Sequence, residues 1–506
     1  MWEKIKNRDW VFNIILIAVC ILFFAFPFGL TPLLLPDSQA YLAGHLAQGI
    51  VPIYPLFICL NRLIFPQGIY LQIIVLEQIA IATVCMVCFI LFIKRNMKLN
   101  WPEAYLCLAF SMLPYTVFMP DGITSRHIIT EALAYPLFYI LMMFILKGIW
   151  SKKYAYIVIA DVIAIVMALT RTQLQLALLI PAGALFLIWM YGAVGKKSVK
   201  LKRFVSGIFI FCGVFVVSYV VCRQGNLVLQ KALLLSAEAV GAKEGTNEGG
   251  VETDVQEISG EELNNTTAVY VVENGDNYDS QFSTVIFTKI MIVADKDDVY
   301  LFEDSEMRQL YAYIYDRLEQ DGLILNAMEN NLLIGDYVQI GLASIPMACS
   351  GYIIDYYAEN PNLTVIDVNN IVWTLLKAHP LKWILSGMLQ LPSGLISTVF
   401  IHRRNMYWLS YLATIIIYAL AVGMCIIRRK DTKRMELMLC GILVNMLFVA
   451  ATSMVFVSFK RYVNYGTGLF YIGLYCIAKE FASPYIKKIF CQESGRVRIG
   501  RDGGVT

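Results

Sequence analysis

Two carboxylates stand where the chain leaves long apolar runs: Asp37 in LLLPDSQAYLA (33–43) and Glu131 in TEALAYP (130–136). Other polar residues occupy the same kind of setting. The first stretch adds Tyr41 and His45, MPDGITSRHII adds Asp121, Arg126 and His127, and ALTRTQLQ adds Arg171 and Gln173. KAHPLKW supplies Lys377, His379 and Lys382, and SFKRYVNYG supplies Lys460, Arg461 and Tyr462. A charge beside lipid is costly to hold, so such residues tend to be kept for work. The set suits one chemistry: a carboxylate takes the proton of an attacking hydroxyl while cations stabilise a departing phosphate. Arginine suits the second task because its guanidinium binds two oxygens at once and stays charged when partly desolvated. If DSQAYLAGH is helical, its four-residue spacing puts Asp37, Tyr41 and His45 on one face.

The elements that would position these residues follow from composition. Of 506 residues, 58% are hydrophobic and 16% charged, and the mean hydropathy is +0.62. Several separate apolar runs reach about 18 residues or more, which predicts an all-α polytopic membrane protein. The first run, VFNIILIAVCILFFAFPFGL, is longer than a signal-peptide core and is followed by bulky residues, so it is expected to stay as an anchor. Lys and Arg gather in MWEKIKNR, KRNMK, KGIWSKK, GKKSVKLKR, RRKDTKR and the tail from Lys479, which hold 25 of the 41. Placing every cluster in the cytoplasm predicts ten spans with both termini inside. These fall at 11–30, 69–93, 101–119, 131–149, 154–170, 174–194, 204–222, 407–427, 435–457 and 463–479.

The outer face then receives 31–68, 120–130, a tight turn at 171–173, the long segment 223–406 and 458–462, so PDSQAY faces outward. LKWILSGMLQLPSGLISTVF (381–400) is apolar enough to cross, but crossing would put RRKDTKR outside. It is expected as an interfacial or re-entrant helix interrupted at Pro392, and 51–65 as a helix along the outer surface. Were both to cross, the C-terminus would keep its side and the loops between them would reverse. The chain thus divides into a seven-span module (1–222) with its outer loop at 31–68, an acidic loop and modest extracytoplasmic lobe (223–380), a surface helix with three spans (381–479) and a basic cytoplasmic tail (480–506).

Residues 238–280 lack helical or strand period until AVYVV and are expected as mostly mobile loop. A strand-like or short helical piece and an amphipathic helix follow, up to about residue 328. Segment 223–380 carries 25 acidic residues against 8 Lys and Arg, which argues against nucleic acid or an anionic polymer as partner. Its DKDD run (Asp295, Asp297, Asp298) could take a divalent cation through oxygen ligands, although solvated loop acids are the plainer reading. No other cofactor is indicated. Most of the 12 cysteines lie inside apolar runs, which leaves no disulfide framework, and the CxxC spacing of Cys85 and Cys88 reads as packing.

The series of features, in order, resembles the C-type membrane glycosyltransferases, whose familiar members include the protein O-mannosyltransferases and the aminoarabinose-to-lipid A transferases. The resemblance rests on an apolar span followed by PDS, Tyr41 and Tyr54-Pro55, then TEALAYPLFYI, ALTRTQLQLALLIP, KAHPLKWI and SFKRYVNYG, and it covers most of the chain outside 223–360. It departs from the family in having a single acid in the first loop. The resemblance implies transfer of a sugar from a polyprenyl-phosphate donor to a glycan, lipid or protein acceptor of the envelope. It also implies that the site lies at the outer face of a bacterial plasma membrane. Asp37 would be the base and Arg171 and Arg461 the phosphate ligands. Glu131 would orient the acceptor or Arg126, and Tyr41 would hold Asp37 or a sugar hydroxyl. His45, His127 and Lys460 complete the expected substrate contacts.

Two rival readings stay open. A lipid-linked glycan polymerase or ligase would keep its key arginines in the long loop, where 223–360 offers Arg223, Arg308 and Arg317. A transporter or flippase would show internal repeats and mid-membrane polar groups. No repeat is visible, and Glu77 and Asp161 are the acids deep in spans, each able to pair within the bundle.

Overall fold

The computed structural model describes residues 9–25, 29–35, 38, 41–42, 51–115, 124–191, 200–245, 290–291, 293–324, 348–349, 351–353, 355–360, 368–399, 407–427, 432–455 and 460–481. These residues are helical or irregular, and their only strand-type pairing is an isolated bridge between Leu33 and His127. Among them are α1 (Asp9–Ala25), α2 (Ile53–Ile64), α3 (Tyr70–Met97), α4 (Trp101–Ser111), α5 (Glu131–Ser151), α6 (Tyr154–Thr170) and α7 (Leu179–Tyr191). A 46-residue α8 (Lys200–Gly245) follows, then α9 (Ser305–Gln320), α10 (Val368–Ala378) and α11 (Pro380–Val399). The last elements are α12 (Tyr407–Ile427), α13 (Thr432–Val455), the short α14 (Lys460–Val463) and the helical run α15 over 467–481.

Six segments are long and apolar enough to cross a bilayer: Tyr70–Met97, Glu131–Ser151, Thr172–Met190, Lys202–Ser236, Leu409–Ile427 and Thr432–Met454. The protein is therefore a membrane protein, and apolar side chains such as Phe209 and Val217 on α8 or Leu22 on α1 face outward toward lipid. The main core gathers α1 and α3 to α7 around buried Phe12, Phe89, Phe138 and Tyr139. A second, separate core of Leu310, Tyr311, Ile314, Ile353 and Ile371 holds α9 and α10 together as a small lobe.

Several polar contacts show which helix ends share a face. Lys94 at the end of α3 bonds Asp9 at the start of α1. Lys479 near the end of α15 pairs with Glu103 at the start of α4, and Arg434 at the start of α13 pairs with Glu480. Lys433 lies over the ring of Trp150 at the end of α5. The basic helix ends thus meet on one side of the bundle. There Lys98 and Lys152 cap α3 and α5 in the left-handed region, where their charges also complement the helix dipoles.

The α5–α6 hairpin sets up the opposite side. Only Lys152 and Lys153 separate the two helices, which lie so close that a Cβ on Gly148 would fall 2.4 Å from Ile157 Cδ1. With α5 21 residues long and α6 17, the start of one and the end of the other must meet roughly 30 Å from the turn.

Four sequence expectations need correction. The helix from 101 ends at Ser111 and turns through Leu113–Tyr115, because Pro114 has no N–H to continue it and restricts the residue before it. The span ending at 222 is part of a helix that runs to Gly245; VLQKALLLSAEA is rich in good helix formers. The loop expected from 238 accordingly begins no earlier than 246, and 246–289 lies outside the described residues. Finally, α11 runs unbroken through Pro392. Proline removes only its bond to the Met388 carbonyl, a loss that a helix packed on α13 can carry.

Candidate functional site

At the far end of the α5–α6 hairpin, Glu131 opens α5 and Arg171 closes α6, and the two form an ion pair. The Glu131 side chain is 1% exposed and that of Arg171 11%. An acid in the first turn of a helix gains from the helix dipole, but a buried pair persists only where its other hydrogen-bonding groups are met. Thr130 Oγ1 donates to Glu131 Oε2 at 3.0 Å and accepts from Arg171 Nη1 at 3.1 Å. Arg171 Nε donates to Gln173 Oε1 at 2.9 Å. Its guanidinium lies 4.8 Å over the ring of Tyr462 on α14, a cation–π contact that strengthens when desolvated.

The first and second loops are sewn to this pair by a network that starts inside α3. Buried Gln78 accepts from Tyr54 Oη at 2.8 Å and donates to the carbonyls of Ser125 (2.7 Å) and His127 (3.2 Å). Leu33 N–H donates to the Arg126 carbonyl at 3.0 Å, and Ile128 N–H to the Leu33 carbonyl at 3.1 Å. Tyr41 meets Tyr54 edge to face at 5.3 Å and lies within electrostatic reach of Arg171, as Tyr54 does of Glu131. Arg62 on α2 donates to the Leu42 carbonyl at 3.1 Å.

The structure thus brings together Tyr41, Glu131, Arg171 and Tyr462, along with the loop that carries Arg126 and His127. Glu131, expected to orient an acceptor or Arg126, pairs with Arg171. His127 Nδ1 accepts from Thr124 N–H at 3.0 Å, so that ring nitrogen closes a turn and is not offered to a ligand. Burial drives the His127 pKa below its usual value. Ser38, next to Asp37 in the sequence, accepts from Leu35 N–H at 2.8 Å and is buried. Asp37, His45 and Asp121 lie outside the described residues, and the side chains of Lys460 and Arg461 are likewise undescribed, although both residues sit in α14.

His379 and Lys382 do not join this cluster. His379 Nε2 meets Asp298 Oδ1 at 2.6 Å, and Lys382 pairs with both Asp295 and Asp298. Asp295 and Asp298 are therefore not plain solvated charges, whereas Asp297 is exposed: Asp298 is buried and pins the lobe to the start of α11. No cluster of three or more metal-ligating side chains occurs among the described residues.

Gln78, Tyr54 and Thr130 were missed by reasoning from charge alone. The signal for Gln78 was its place in VLEQIAIA, since an amide inside an apolar span demands partners. Replacing Gln78 with Leu should strand the Tyr54 hydroxyl and two loop carbonyls and cost about 1–3 kcal/mol. Thermal unfolding against Tyr54→Phe, which removes one bond of the three, will check this. Equal small losses in both variants would refute the network.

No protein-family model matches the chain, and neither a curated protein nor a solved structure does.

Proposed function

We propose that this protein is a membrane glycosyltransferase that moves a sugar from a polyprenyl-phosphate donor to an acceptor hydroxyl at the outer face of a bacterial plasma membrane. The observation that carries the reading is the clamped Arg171, held by Glu131, Thr130 and Gln173 and backed by Tyr462. A guanidinium fixed in this way at the end of a span suits the phosphate of a lipid whose tail lies in the bilayer. Asp37, in the loop anchored by Leu33 and Tyr41, is the base in this proposal, and Arg461 on the same α14 as Tyr462 is the second phosphate ligand.

The topology proposed with it has ten crossings. Six are the helices named above, and α1, α6, the α4 segment and α15 supply the other four. The shared face of basic helix ends is then cytoplasmic, about 30 Å from the Glu131–Arg171 pair, close to the thickness of a hydrocarbon core. Two observations weigh against the transporter reading. Glu77 accepts from Asn61 at 2.9 Å, and Asp161 accepts from Ser218 at 2.8 and 2.9 Å, so each deep acid is satisfied at its own helix interface.

Two measurements test this. A thiol introduced near Lys430 is expected to stay unlabelled by an impermeant reagent in intact cells, and labelling would refute the topology. Purified protein given labelled polyprenyl-phosphate sugars and a membrane extract as acceptor is expected to transfer label from one of them. If folded protein consumed none of the panel, the transferase reading would fall.

A further inference from the structure

Helices α10 and α11 meet at His379, and the chain stays close to helical through the joint. His379 N–H donates to the Leu375 carbonyl at 2.8 Å, and Lys382 N–H donates to the His379 carbonyl at 3.1 Å. A stripe of exposed side chains keeps its period across this joint: Trp373, Lys377, Leu381, Ile384, Leu385 and Met388. Spacings of three and four residues put such positions on one side of a helix. The stripe changes character along its length. Its lobe end carries an indole and an ammonium, and from Leu381, itself 76% exposed, it is wholly apolar.

The other side of α11 fixes its depth. A Cβ on Gly387 would strike Met454 Sδ, so Gly387 sits at the end of α13 remote from Arg434 and the basic helix ends. Thr398, about 17 Å further along the axis, bonds Tyr418 Oη at 2.8 Å, and Asn445 Nδ2 donates to the same oxygen at 3.0 Å. Tyr418 stands near the middle of α12 and Asn445 near the middle of α13. Helix α11 therefore runs antiparallel to α13 and stops about half-way along it. Its end is enclosed: residues 396–399 are all buried, and Tyr471 on α15 donates its hydroxyl to the Val399 carbonyl. A helix end within a bilayer needs such a partner, because no water reaches its last carbonyls there.

We infer that α11 is a half-span that enters the bilayer from the lobe side and ends near its middle, and that Trp373 and Lys377 dock the lobe onto the lipid headgroups. An aromatic ring and a long-stemmed cation ahead of an apolar face suit the boundary between water and lipid. Lipid fits the stripe better than a protein partner does, because its lower end lies on a helix packed along a span. Asp298 bonds both His379 and Lys382, so the lobe moves with α11. The proposed topology assigns the docked leaflet to the outer side, while the docking itself depends neither on that topology nor on the transferase reading.

The test uses the full chain in phosphatidylcholine nanodiscs, with a nitroxide carried on a genetically encoded keto amino acid so that the native cysteines stay in place. The label replaces Trp373, Leu381, Leu385 or Met388 in turn, all exposed positions where it should not disturb packing. Collisions with oxygen, which concentrates in lipid, are compared with collisions with a nickel chelate, which stays in water. The oxygen-to-nickel ratio is expected to rise in the order 373, 381, 385, 388 and to match at 388 the ratio at Phe209 on α8. Position 373 should give a value between those of Phe209 and of exposed Glu319 on α9. A ratio at 385 and 388 equal to that at Glu319 would overturn the half-span. The Glu319 value at 373 alone would overturn docking of the lobe. Exclusion of both reagents along the stripe would put a protein partner there and overturn lipid as the occupant.

Discussion

Arg171→Ala is expected to destabilise the protein by about 3–5 kcal/mol, because it leaves the Glu131 carboxylate buried without its counter-charge. It should also reduce transfer on the order of a hundredfold or more, the scale of losing one donor to a developing negative charge. The two effects would be confounded in the single variant, so the double variant Glu131→Gln with Arg171→Met separates them. Replacing both charges with neutral groups of similar size should recover most of the stability, since a buried pair contributes little net energy beyond what its desolvation takes away. If Arg171 binds the lipid phosphate, transfer should stay lost in this well-folded double variant. If the pair only braces α5 against α6, transfer should return with stability. Thermal unfolding and transfer assays on the wild type, both single variants and the double variant settle the matter. An Arg171→Ala protein as stable as wild type would contradict the burial of the pair itself.

That pair also shows how far the sequence could be read. Glu131 and Arg171 were each visible as charges at the ends of apolar runs. Their partnership was legible too, though only by counting: spans of similar length joined by a two-residue turn bring the start of one to the end of the other. Charge-by-charge reading gave Glu131 an acceptor or Arg126 to orient and did not name Arg171, because it ranked residues by chemistry before placing them along the hairpin. Gln78 was passed over for a related reason. It is a neutral amide in an apolar run, and helix rotation decides whether such a group finds partners such as Tyr54 and two loop carbonyls. Rotation of a helix with apolar residues all round leaves little trace in hydrophobic period.

The lobe was misread through its charges. DKDD looked solvated because 223–380 is strongly acidic, yet Asp295 and Asp298 cap a helical turn and meet His379 and Lys382 more than eighty residues later. Those two residues were assigned to the membrane face because they precede an apolar run. Long-range pairing of this sort is invisible to composition, which averages over a segment. The lobe's own core was readable, since Leu310, Ile314 and Leu318 recur at helical spacing on α9.

Asp37→Asn is expected to lower transfer by about a hundredfold or more, the usual scale for a general base, while leaving folding and donor binding intact. Asp37 itself lies outside the described residues, so the expectation rests on its flanks. Upstream, Leu33 is bonded to the Arg126 and Ile128 backbone, and Ser38 closes a turn onto Leu35. Downstream, Tyr41 packs on Tyr54 and lies within electrostatic reach of Arg171. An acid between two anchored points, four residues before a residue beside the proposed phosphate ligand, is well placed to take the proton of an attacking hydroxyl. Ser38 Oγ accepts from the Leu35 N–H and keeps its own O–H to donate, so Ser38 and Tyr41 are both candidates to orient the carboxylate. Asparagine keeps the shape and the capacity to accept a hydrogen bond but cannot hold the proton, so the loss should fall on turnover and not on the donor's Kd. Tyr41→Phe should then cost less than Asp37→Asn and act in the same direction, with no further loss when the two are combined. Full transfer by folded Asp37→Asn protein would remove the base from this loop, and failure of that variant to fold would make Asp37 a structural partner of the turn that Ser38 closes.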